Sequence, residues 1–156
     1  MGNSGTISFE SKCYPEREFG GYTRVDGGVA FYVRVHALLR PEMTVLDVGC
    51  GRGEFVERMD RNPALRWRIL KGACKKVIGI DVSDAGRENS TLDEFRLLGS
   101  ERWPVESASI DLLVSDAVLE HVPNPDAFFA ECNRVVKPGG FVCCRTSNRW
   151  AYYALV

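Results

Sequence analysis

Three glycines spaced two apart, Gly49, Gly51 and Gly53, follow an apolar run, Val45-Leu46-Asp47-Val48, that carries a carboxylate near its end. Glycine opens backbone angles closed to other residues and lets a ligand approach the main chain closely. If a helix follows, its free N–H groups and positive dipole end face an anionic group on that ligand. A second apolar run, Val77-Ile78-Gly79-Ile80, ends in Asp81. In a doubly wound sheet that is where a nucleotide's ribose lies, and an ionised carboxylate there accepts both ribose hydroxyls. Together these residues read as a binding site for an adenosine-containing cofactor.

The spacing bears on which cofactor. A dinucleotide site prefers G-x-G-x-x-G, with the third glycine permitting close helix–strand packing. Here that position is Glu54, whose charge would repel a pyrophosphate. The pattern D-x-G-x-G-x-G from Asp47 to Gly53 instead resembles motif I of the class I S-adenosylmethionine-dependent methyltransferases. Further stretches resemble that family in the right order. Asp81 matches its ribose-binding acid, and Trp103 to Ser115 resembles its loop into the fourth strand. Val118-Leu119-Glu120-His121-Val122 resembles the turn after that strand, and Arg134 to Val142 resembles the next helix end, glycine turn and fifth strand. The resemblance covers about residues 40 to 148, and the nearest likeness is the branch that includes quinone-biosynthesis methyltransferases.

The resemblance implies a Rossmann-like fold, S-adenosyl-L-methionine as cofactor and methyl transfer to a small-molecule acceptor, with oxygen the favoured atom. The loop Gly49-Cys50-Gly51, closed by Gly53, passes under the methionine moiety, and Asp47 orients its amino group. Asp81, with Val82 beside it, holds the ribose. Family members commonly place an acid just after strand three; here Gly99 or Ser100 stands there, so adenine falls to the Ser100 and Glu101 backbone, with Arg102 or Trp103 offering a face. Ser115 and Asp116 line the methionine arm, Asp116 being equally readable as a turn cap. His121 either removes a proton from the acceptor as it is methylated or orients the loop at Pro123. The sulfonium methyl is already electrophilic, so the protein's task is to align the acceptor and exclude water. Cys50 reads as a loop filler rather than a nucleophile. A domain that binds cofactor or a partner without catalysis is the alternative.

These residues need a scaffold, and the pattern supplies one. At 156 residues with a net charge of −1, the chain is one domain able to bury a core, with no global electrostatic case for nucleic acid. There is no apolar run long enough to span a bilayer and no signal peptide at Met1 to Gly21. The six cysteines form no C-x-x-C pair, which argues against zinc and against a disulfide scaffold and makes a reducing cytoplasm the default. Residues 1–26 read as irregular, with Tyr22, Arg24 and Asp26 a candidate lid; residues 27–156 read as the domain. Phe31, Val35, Leu38 and Leu39 recur at helical spacing. Strands are expected near 44–48, 77–81, 94–98, 110–115 and 141–145, with a helix opening near Gly53. Another starts at Asn124-Pro125-Asp126, buries Phe128, Cys132, Val135 and Val136, and stops at Gly139-Gly140. Alternating strands and helices give an α/β, doubly wound, mostly parallel sheet.

Two features depart from the family. From Gly53 to Asp81 there are 28 positions, where about 20 usually separate the loop from the acid. Seven residues from Arg58 to Lys76 are basic and only Asp60 is acidic: a solvated face with Trp67 folded inward, or a docking patch for an acidic partner that includes Arg66 and Arg68. The chain also stops at the start of a helix, Arg149 to Val156, so the sheet is expected to lack strands six and seven. Strand five would then be an exposed apolar edge, with a homodimer or aggregation through it, and the chain would behave as a fragment with weak cofactor binding and little methyl transfer.

Overall fold

The computed structural model describes residues 27–100 and 102–147. Helix α1 (Gly27–Leu38) leads into β1 (Thr44–Val48), β2 (Lys76–Asp81), β3 (Glu94–Leu97), β4 (Ile110–Asp116), α2 (Pro125–Val135) and β5 (Val136–Arg145). Short 3-10 turns lie at Glu54–Arg58, Pro63–Arg68, Asp84–Glu88 and Leu119–His121. The strands are all parallel, in the order β3-β2-β1-β4-β5. Successive strands run outward from β1 to one side and then, from β4, to the other. The switch point therefore lies between β1 and β4, and a ligand crevice opens beyond their carboxyl ends.

Side chains alternate across each strand, and the two sheet faces sort accordingly. Val45, Val77, Leu112 and Val114 pack with Tyr32 and Val35 of α1. Leu46, Val48, Ile78, Ile80, Ile110 and Leu113 pack with Phe128, Cys132 and Val135 of α2. Asn124 caps α2, its Oδ1 accepting from the Ala127 N–H at 3.1 Å. On α1 the deepest aromatic is Tyr32, buried with Val35, while Phe31 packs at the margin.

Three local expectations are corrected. No α-helix follows Gly53; the chain makes 3-10 turns at Glu54–Arg58 and Pro63–Arg68. Pro63 drives Asn62 out of the helical region (φ −138°, ψ 83°), leaving too few residues after Gly53 for a stable α-helix. Helix α2 stops at Val135, and Val136 already pairs with Ile110 as strand. Pro138 disfavours helix at Lys137, and the Lys137-Pro138-Gly139-Gly140 stretch becomes an irregularity between the Ile110 and Leu112 pairings. Trp67 is not folded inward: it is 37% exposed, edge-on to His36 at 5.5 Å. The Trp67 carbonyl can only accept, so it is the His36 Nε2–H that donates at 2.9 Å. On β5, an edge strand of the sheet, Phe141 and Val142 are exposed. The candidate lid (Tyr22, Arg24, Asp26) and residues 148–156 lie outside the described residues.

Candidate cofactor and active site

The carboxyl ends of β1, β2 and β4 carry Asp47, Asp81 and Asp116, and the loop after β1 passes among them. Gly49 and Cys50 donate their N–H groups to the Ile80 carbonyl at 2.8 and 3.3 Å, which ties the loop to β2. Gly51 N–H donates to Asp81 Oδ2 at 2.9 Å, and Ser83 N–H to Asp81 Oδ1 at 2.8 Å. Asp81 thus braces the glycine loop as well as ending its strand. Each carboxylate oxygen keeps a further lone-pair site, so both remain able to accept hydroxyls.

Sequence reasoning missed the residue that holds the loop from behind. Asn89 is buried and donates from Nδ2 to the Cys50 and Gly51 carbonyls at 2.9 and 3.1 Å. Its Oδ1 accepts from Thr91 N–H and Oγ1. The glycines are explained by what surrounds them. Gly49 has φ +72°, and a Cβ there would lie 2.3 Å from Val118 Cγ2; Gly53 has φ +76°, and a Cβ would lie 2.6 Å from Asn89 Oδ1. Replacing Asn89 by Ala is expected to destabilise the protein by about 1–3 kcal/mol, because two loop carbonyls and the Thr91 N–H lose their partner. Urea unfolding measures that, and cofactor affinity should fall with it.

Two cavities meet at Gly49. The larger, about 700 Å³, is mainly apolar, walled by Val48, Ile80, Leu98, Trp103, Val118, Val122 and Phe128, with Asp81, Val82, Ser100 and His121 also on its lining. Its volume lies within the usual range for small-molecule sites. Trp103 meets Phe128 edge-on at 5.3 Å. His121 ends the 3-10 turn Leu119–His121 and is exposed; its imidazole has no hydrogen-bond partner among the described residues, whereas neighbouring Glu120 accepts from Thr146 and Ser147. Ala117, between Asp116 and Val118, holds φ +58°, a strained angle for a residue with a Cβ.

The smaller cavity, about 270 Å³, is polar and lies against α1: Tyr32, Asp47, Gly51, Gly53, Phe55, Arg68 and Asp116 line it. The Asp116 carboxylate is almost fully buried and paired, with Arg145 at 2.6 Å and Arg68 at 3.4 Å. Burial raises the Asp47 carboxyl from 3.8 to about 7, with Asp116 and Asp81 adding to the rise and Arg68 opposing it. Burial likewise pushes the Cys50 thiol up to about 12, which keeps it neutral and unsuited to nucleophilic attack. The two residues expected to be catalytic therefore border different cavities, His121 the apolar one and Asp116 the polar one. Ser115 is fully buried with its Oγ unpartnered and lines neither cavity; Glu101 lies outside the described residues.

Arg68 reaches this site from the basic segment. Its guanidinium lies over the Phe55 ring at 4.8 Å and the Tyr32 ring at 5.7 Å. Its place in a run of exposed cations concealed that role, since charge and position alone give no sign of inward turning. The docking patch is correspondingly narrower: Arg68 faces the cavity, Lys76 pairs with Glu94, and Lys71 donates to the Leu92 carbonyl at 2.6 Å.

Asp47 also sets a pH dependence of stability. Its folded-state pKa of about 7 lies above the ordinary value of 3.8, so between these pH values the folded state holds a proton that the unfolded chain releases. Stability should fall as pH rises from about 4 to about 7 and level off above that. Denaturation of the Asp47→Asn variant across the same range should lack this decline.

Comparison with known proteins agrees with this geometry. The chain matches the family described as a methyltransferase domain over residues 46–144. It is 34% identical to a ubiquinone biosynthesis O-methyltransferase of Maricaulis maris, an alignment covering 69% of this chain and 41% of the relative. It is 38% identical to the enzyme of that name from Paracidovorax citrulli, over 67% of this chain and 44% of the relative. A SAM-dependent methyltransferase from Methanosarcina mazei superposes with a TM-score of 0.51 at 25% identity, covering 70% of this chain and 54% of that structure. The chain belongs to the class I S-adenosyl-L-methionine-dependent methyltransferase family. It spans less than half the length of the curated relatives it matches.

The residues present fit the family's cofactor, S-adenosyl-L-methionine. A Cβ on Gly51 would meet nothing within 4 Å, so the loop leaves an open cradle beside Asp47 and Asp81. The buried Arg68 Nε lacks a partner, an unspent donor on the polar cavity.

Proposed function

We propose that this chain is the cofactor-binding part of a methyltransferase that transfers a methyl group to an oxygen of a small molecule. The observation that carries the reading is the pair of cavities meeting at Gly49, one polar and lined by charges of both signs, the other apolar and bordered by His121. When bound, S-adenosyl-L-methionine supplies an electrophilic methyl group. Asp81 accepts from the ribose hydroxyls, Val82 and Ser100 border the nucleoside, and Asp47 holds the amino group. The apolar walls exclude water from the acceptor, and the exposed His121 imidazole takes the hydroxyl proton as oxygen is methylated. The relatives' name supports oxygen as the acceptor atom and a quinone-type ring as the first acceptor to test.

Calorimetric titration with S-adenosylhomocysteine, followed by radiolabelled methyl transfer to a panel of catechols and phenols, tests the reading. Micromolar binding and a methylated ether product support it; binding of nicotinamide dinucleotides in preference would overturn it. Asp47 adds a pH signature. An ammonium ligand prefers the ionised carboxylate, so affinity should strengthen as pH rises through about 7 and then level off. In Asp47→Asn that rise should disappear.

A further inference from the structure

The polar cavity presents an electrostatic problem. Its lining sets Asp47, Asp116 and Glu54 against Arg52, Arg58 and Arg68. Glu54 is paired with Arg52 and Arg58 is exposed, so the buried carboxylates Asp47 and Asp116 suit an ammonium group but would repel the carboxylate of an amino acid entering beside it. A zwitterion fits only if a cation with uncommitted donors also faces the cavity.

Arg68 meets that requirement. The ring faces of Phe55 and Tyr32 flank its guanidinium, and the Tyr32 hydroxyl shares a hydrogen bond with it. Its Nε is buried and unpartnered, and its contact to Asp116 is long at 3.4 Å. Asp116 has a second, much closer cation in Arg145 at 2.6 Å, so it stays neutralised if Arg68 turns to a ligand. The planar guanidinium is also suited to grip a carboxylate with two donors.

We infer that Arg68 is a specificity-determining residue: it reads the carboxylate of the ligand's amino-acid end, while Asp47 holds the ammonium. The assignment rests on the cofactor reading above and adds what that reading leaves open, namely why the basic segment between β1 and β2 turns one arginine inward. The Pro63–Arg68 turn delivers it, and the His36 bond to the Trp67 carbonyl anchors the preceding residue to α1.

Calorimetry with two ligands tests this, S-adenosylhomocysteine and its decarboxylated analogue, which differ only in the carboxylate. The wild-type chain should prefer the former by about 10- to 100-fold, as expected for a charge-assisted contact. In Arg68→Met, S-adenosylhomocysteine should weaken to the analogue's level while the analogue binds as before, which also shows the site intact. Arg68→Lys should restore part of the preference. An undiminished preference in Arg68→Met, or an equal loss for both ligands, overturns the assignment. Failure of both ligands to bind the wild type overturns the cofactor reading, and this inference with it.

Discussion

Replacing Asp81 by Ala should weaken S-adenosylhomocysteine binding at least about tenfold, because up to two charge-assisted hydrogen bonds of about 1.5–3 kcal/mol each are lost. The geometry adds a second source of loss. Asp81 accepts from Gly51 N–H and Ser83 N–H, so the variant also releases the glycine loop. Asp81→Asn separates the two effects: it keeps one acceptor oxygen for the loop but replaces the other with a donor. Calorimetry on both variants, with circular dichroism to confirm the fold, is the measurement. An unchanged dissociation constant in Asp81→Ala would remove Asp81 from the ribose site.

His121→Ala should lower turnover by about 10²–10⁴-fold while leaving cofactor affinity near that of the wild type. The imidazole is exposed on the lining of the apolar cavity and has no hydrogen-bond partner among the described residues, so its removal disturbs little packing. Small, equal effects on turnover and affinity would instead mean that His121 only supports the loop at Pro123.

The sequence by itself determined the fold class and the placing of the glycine loop between strand-end carboxylates. The apolar runs around residues 45–48, 77–80 and 110–114 follow from a parallel sheet covered on both faces, and local chemistry places Asp47, the glycines and Asp81 at strand ends. Such features depend on neighbours along the chain, so spacing reveals them. Asn124-Pro125 marked the start of α2 for the same reason.

Only the tertiary structure decided what meets across the chain. Asn89 looks like an ordinary turn residue until its amide is found on the Cys50 and Gly51 carbonyls. Tyr32 and Phe55 carry no sign of a site in their spacing, yet Arg68 lies over both. Ser115 and Asp116 are adjacent in sequence, yet the strand alternation buries one and turns the other to the polar cavity. Arg68 itself sits among exposed cations, and its direction is set by the Asn62-Pro63 break and the turn after it, which replace an α-helix with two 3-10 turns. A side chain's direction at such a break depends on long-range partners, Asp116 and α1, that no local pattern encodes.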